Sequence, residues 1–162
     1  MTLANGAVIT IAACKPTGTA TAPAPADDVY KDAGTVQATI STATGGNFEN
    51  LVPSTTPAIT SVTDTIDTTT VTLTATPSVT EGGSIVYTAT VNNTVTGSDL
   101  VITLDNGKTI TIPVGSSSAD SDPVAVRADD AYVQGTGTVT AAISSTSGGN
   151  YESLDTTSTA ST

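Results

Sequence analysis

Histidine and tryptophan are absent from this 162-residue chain, and cysteine and methionine occur once each. Without histidine the chain lacks the usual general base and the commonest transition-metal ligand. The lone Cys14 can build neither an internal disulfide nor a zinc centre. Basic residues are scarce as well. Four lysines and arginines face 15 aspartates and glutamates, for a formal net charge of -11, and such a surface repels phosphate backbones. Nucleic acid is therefore excluded as a partner. No apolar run approaches the length needed to span a bilayer, which argues against membrane insertion. The opening residues lack the basic stretch and long apolar segment of a secretory leader, so an export signal is expected elsewhere in a longer protein.

Hydrophobic residues amount to 37% and aromatics to 3%, so a packed core is thin and disorder has to be weighed. The apolar residues are mostly valine and isoleucine interleaved with threonine. Threonine is polar but β-branched and suits the solvent face of a pleated strand, and this alternation argues for order.

The chain repeats itself. Residues 34–51 (GTVQATISTATGGNFENL) return at 137–154 (GTVTAAISSTSGGNYESL), DDVY at 27–30 returns as DDAY at 129–132, and NGAVITI at 5–11 returns as NGKTITI at 106–112. Three blocks recur in one order, with offsets drifting from 101 to 103, as one-residue insertions in loops would cause. The period is close to the size of one immunoglobulin-like sandwich, about 100 residues. Residues 1–55 match the C-terminal half of a unit and 56–162 hold a complete one, so the chain is expected to open midway through a repeat. The stretch 52–67, with Pro53 and Pro57, reads as a linker.

Within the complete unit, strands are expected at 70–76, 84–91, 99–104, 109–114, 123–127, 137–144 and 150–155. Asn106-Gly107 marks a two-residue type I′ hairpin, and 116–122 reads as a polar loop. Seven short strands with regular turns and no helix predict an all-β fold, an immunoglobulin-like Greek-key β-sandwich in tandem repeat. Tyr132, and Tyr30 at the same place in the first half-unit, occupy the position of a corner tyrosine or of a half-buried loop aromatic.

Carboxylates gather in turns: Asp27, Asp28 and Asp32; Asp64 and Asp67; Asp120 and Asp122; Asp129 and Asp130; with Glu49, Glu81 and Glu152. Folding brings like charges together, which a bridging cation would relieve. Calcium suits six to eight oxygen ligands, whereas missing histidine disfavours zinc and copper. Neither an EF-hand loop nor a glycine-aspartate nonapeptide repeat is present. The plain alternative is solubilising surface charge. Recurrence of DD-x-Y, and the position of Asp64 and Asp67 between units, favour calcium.

The linker TDTIDTTTVTLTATPSVTEGGSIVYTATV at 63–91, the LDNG hairpin, ADDAYVQG and the ISSTSGGNYESL ending resemble the extender repeats of giant RTX-type biofilm and ice adhesins. Those proteins are exported by type I secretion and anchored on Gram-negative cells. The resemblance implies an extracellular, non-enzymatic spacer on the bacterial surface, with calcium at the junctions between neighbouring repeats, projecting distal binding domains for attachment or biofilm formation. Carried over by position, it implies calcium ligands first at Asp64, Asp67, Asp129 and Asp130. Glu81 follows, then Asp27 and Asp28, which match Asp129 and Asp130. Two features depart from the pattern. Cys14 stands where the second unit has Gly115, as a tolerated small residue, a labelling site or an intermolecular disulfide. The first unit also lacks its opening strands, and its unpaired edges invite strand swapping or dimerisation.

Two other classes compete. A carbohydrate-binding adhesin module would need an exposed aromatic platform, and Phe48 and Tyr151 recur after GGN as packing residues would. An enzyme would need an activated hydroxyl or a paired-carboxylate cleft, and neither is evident. An accessory sandwich of an extracellular hydrolase would share all these features.

Overall fold

The structure, a computed structural model, describes residues 1–162 and consists entirely of strands and turns. Two compact units divide the chain. One comprises Met1–Asp27 and Asp32–Thr65, and the other Asp28–Lys31 and Ile66–Thr162.

The first unit holds four strands, β1 (Thr2–Leu3), β2 (Gly34–Ala38), β3 (Ile40–Thr42) and β4 (Ala58–Val62). They form two separate antiparallel pairs, β1 with β3 and β2 with β4. Strand β4 corrects the reading of 52–67 as a linker throughout. Its β-branched Ile59, Thr60 and Val62 suit a pleated strand, and β2 supplies an edge for five residue pairs. No residue of 1–65 is buried, since two-stranded ribbons have no second layer to cover their apolar faces.

The second unit contains β5 (Thr68–Ala75), β6 (Ser84–Ile85), β7 (Tyr87–Val91), β8 (Leu100–Leu104), β9 (Thr109–Ile112), β10 (Ser118–Asp120), β11 (Val124–Ala125), β12 (Thr140–Ser147), β13 (Ser153–Asp155) and β14 (Thr159–Ser161). Two four-stranded sheets, in the orders β10-β7-β5-β13 and β14-β12-β8-β9, build a sandwich. All neighbours within them are antiparallel except β13, which runs parallel to β5. Burial alternates with period two. Val71 and Leu73 of β5 and Tyr87, Ala89 and Val91 of β7 supply one layer, and Leu100, Ile102, Leu104, Ile110, Ile112, Ala141 and Ala160 supply the other. Fully burying an aliphatic side chain of this kind contributes about 1.5–3 kcal/mol, so this layer carries most of the unit's stability.

Several local details depart from expectation. The 84–91 strand breaks at Val86, whose N–H donates to Thr76 Oγ1 at 3.0 Å instead of continuing the ladder. The supposed loop 116–122 contains β10, which pairs with the free edge of β7 and is tied to it by Thr88 Oγ1 donating to Asp120 Oδ1 at 2.6 Å. Strand β14 was not foreseen. It pairs with β12 and buries Ala160.

The β8–β9 hairpin is a type I turn closed by a glycine bulge, not a type I′ turn. Gly107 N–H donates to Leu104 O at 3.0 Å and Leu104 N–H to Lys108 O at 2.8 Å, and only Gly107 takes a positive φ, of 78°. Asn106 instead accepts from Lys108 N–H through Oδ1 at 3.0 Å. The first unit repeats this construction. Gly6 N–H donates to Leu3 O at 3.0 Å, Leu3 N–H to Ala7 O at 2.8 Å, and Asn5 Oδ1 accepts from Ala7 N–H at 3.1 Å. A second pair of turns matches as well. Lys15 N–H donates to Ala12 O across Cys14, and Ser116 N–H to Pro113 O across Gly115, each at 3.0 Å. Cys14, at φ 62°, is the only non-glycine residue in the left-handed region, in the conformation that Gly115 adopts at φ 85°.

Candidate functional site

The carboxylates singled out from sequence are distributed over separate local tasks. Asp28 Oδ1 accepts from Tyr30 N–H, and Asp130 Oδ1 from Tyr132 N–H, each at 2.8 Å. The second aspartate of each DD pair thus closes an Asx turn that shapes the chain before the tyrosine. Asp130 also accepts from the Gln134 side-chain amide. Asp27 and Asp129 are exposed, the latter with its Cβ beside Gly82.

Asp64 Oδ2 accepts from Asp32 N–H at 3.2 Å within the first unit. In the second, Asp67 N–H donates to Glu152 Oε2 at 2.6 Å. Glu81 forms an ion pair with Arg127, whose guanidinium also donates to Gly135 O at 2.9 Å. Glu81, Arg127 and Asp129 line a groove of about 1020 Å³, together with Pro77, Val79 and Thr162. A cation is therefore already supplied to Glu81 by the chain itself. No three acidic side chains stand close enough together to hold a metal ion. The donors are hard oxygens of the type calcium takes, but they are engaged in separate local hydrogen bonds rather than gathered in one cage.

The most constructed feature of the second unit lies beside these acids. The short segment Asp28–Lys31, which in sequence belongs to the first half-repeat, is part of the second unit. Tyr30 and Tyr151 form an antiparallel bridge. Lys31 N–H donates to Asn150 O at 3.0 Å, Glu152 N–H to Val29 O at 3.2 Å, and Asn150 Nδ2 to Lys31 O at 3.3 Å. The two tyrosine rings stack with centroids 5.7 Å apart and planes 29° apart. Their hydroxyls end on adjacent carbonyls. Tyr30 donates to Thr94 O at 2.7 Å and Tyr151 to Asn93 O at 2.6 Å. Burial raises the Tyr151 pKa, and the neighbouring Tyr30 adds to the effect. Asp155 is shifted the other way, because the backbone N–H and the hydroxyl of Thr157 both donate to its carboxylate.

Tyr30 thus ends on a backbone carbonyl, but in a strand seat far along the chain and not at a corner. Tyr132 matches neither reading, since its ring is 78% exposed. Sequence reasoning missed the seat because its halves, Lys31 and Asn150, lie 119 residues apart. The available signal was the recurrence of DD-x-Y and of the aromatic after GGN.

The model of the LapA domain matches residues 1–65 and again residues 67–162, nearly the whole chain. The chain belongs to the LapA domain family. LapA is a large adhesin of biofilm formation, so this is a domain of a non-enzymatic, cell-surface adhesin family. No curated protein and no solved structure matches the chain.

Proposed function

We propose that this LapA-family chain is a spacer of an extracellular adhesin, an extender of immunoglobulin-like repeats that holds distal binding domains away from the cell. The observation that carries this reading is the repetition of one adhesin domain along the chain, matched over residues 1–65 and again over 67–162. Units strung in tandem with no catalytic constellation suit a spacing element. The groove on the sandwich is open, and the Glu81 and Arg127 side chains that line it are committed to each other, a poor setting for catalysis.

Calcium is the stiffening ion in this proposal. It would be held within each unit separately, by Asp64 in the first and by Asp67 and Glu152 in the second, completed by backbone carbonyls and water. The test is a thermal melt of the whole chain with calcium and with a chelator. Because a ligand selective for the folded state stabilises it by mass action, calcium at about 100 times its Kd should raise Tm by roughly 5 °C or more. The joint variant Asp64→Asn with Asp67→Asn should lose that rise. Superimposable melts would reduce the acids to solubilising charge and leave a spacer without a metal.

A further inference from the structure

The two DD-x-Y segments are built alike and placed differently. Each carries the same Asx turn, with the second aspartate 2.8 Å from the tyrosine N–H. Each therefore presents its ring from the same backbone shape. Tyr30 is seated against Tyr151 and Thr94 O, whereas Tyr132 is 78% exposed and Val133 beside it is wholly exposed. The same turn that carries a seated tyrosine in one copy thus carries a tyrosine in water in the other.

The seat has a mirror-image vacancy. Tyr151 after Gly148-Gly149 is 4% exposed beneath Tyr30, while Phe48, its counterpart after Gly45-Gly46, is 69% exposed. Both rings fold back over the second glycine of their pair, so the local geometry matches. The difference is that Phe48 has no DD-x-Y segment lying on it.

We propose that residues 129–133 are a docking strap, and that their seat is the Asn150-Tyr151-Glu152 strand and the Asn93-Thr94 carbonyls of a second copy of this repeat that follows in the same chain. The inference rests on reading the repeat as a spacer joined to its like. Within the present chain that seat is filled by Tyr30, so Tyr132 takes the equivalent seat on the copy that follows. Val29 of the seated segment packs partly buried against the core, and its counterpart is the smaller Ala131. The tyrosine ring and its hydroxyl then carry most of the contact.

The test lengthens the whole chain by joining a second copy of residues 60–162, bearing Tyr132→Phe, directly after Thr162. Tyrosine nitration is then mapped in both proteins. In the original chain Tyr132 should react freely and Tyr30 and Tyr151 slowly. In the lengthened chain Tyr132 should be protected about tenfold by docking. Equal reactivity in both chains overturns the proposal.

A second measurement does not depend on the lengthened protein folding. The original chain with Tyr30→Ala and Lys31→Pro loses both the ring and the N–H that hold the native segment on Asn150, which opens the seat, and a peptide of residues 128–134 should slow nitration of its Tyr151. The same peptide with alanine for tyrosine should not, and indistinguishable peptides overturn the proposal. Both measurements are run with calcium and with chelator. Tyrosine protection in chelator alongside a calcium-independent melt would keep the strap and remove the metal. A calcium-dependent melt without protection would do the reverse.

Discussion

Residues 34–51 and 137–154 share 11 of 18 residues and stand in two different surroundings. Their glycine pairs take the same positive φ, 87° and 77° against 78° and 68°, and the aromatic that follows turns back over the second glycine in both. Burial does not follow. Gly148 is packed so closely that an added Cβ would lie 2.0 Å from Asp99 O, whereas one on Gly45 would meet nothing within 4 Å. The backbone conformation open to a glycine pair sets the shape of this turn, and it survives where the sequence recurs. Burial comes from distant strands, and only the second copy has them.

The sharpest way to break this comparison is to truncate the two aromatics in parallel. Tyr151→Ala should destabilise the second unit by about 4 kcal/mol, the usual loss for a buried aromatic, and lower its denaturant midpoint sharply. Phe48→Ala should stay within about 0.5 kcal/mol, as expected of a surface site. Equal effects would mean that the first unit packs more tightly than its exposure implies.

The glycines come next. Gly148→Ala combines a left-handed backbone with a collision against a carbonyl and should cost about 3 kcal/mol, read by chemical denaturation. Gly45→Ala carries only the backbone term, about 1 kcal/mol. A third contrast involves Cys14 and Gly115, which share one turn. Cys14→Gly should stabilise the first unit by about 1 kcal/mol by removing left-handed strain, measured as increased protection from hydrogen exchange around Ala12 and Lys15.

The smallest effect is alkaline. The folded-state pKa of Tyr151 lies above its unfolded value, so its neutral form is favoured by folding. That contribution is complete below the ordinary tyrosine pKa of about 10 and is lost as pH rises through the raised value. Tyr151→Phe should flatten the decline in Tm above that pH, and an unchanged slope would reassign it to other groups.

The strands of the second unit were legible where valine, leucine, isoleucine and threonine alternate, as in Val71-Thr72-Leu73 and Ile110-Thr111-Ile112. Strands β10 and β14 were not, because Ser118-Ala119-Asp120 and Thr159-Ala160-Ser161 carry almost no apolar pattern. Their pairing is decided by the free edges of β7 and β12. The hairpin position was readable from Asn106-Gly107, but its class depends on whether asparagine also turns left-handed, and sequence does not fix that. The aspartates were legible as a recurring feature and not as a role. An Asx turn and a metal ligand require the same side chain, and the choice depends on which amides lie within reach.

The four residues lent by the first half-repeat also bear on survival outside the cell. The stretch around Val52 is exposed and is an evident place for a protease to cut. A single nick there severs the covalent path, yet the severed N-terminal fragment still carries Tyr30 in its seat. Release would wait on further events, the peeling away of that grip and of the five residue pairs between β2 and β4, so one cut does not by itself part the fragments.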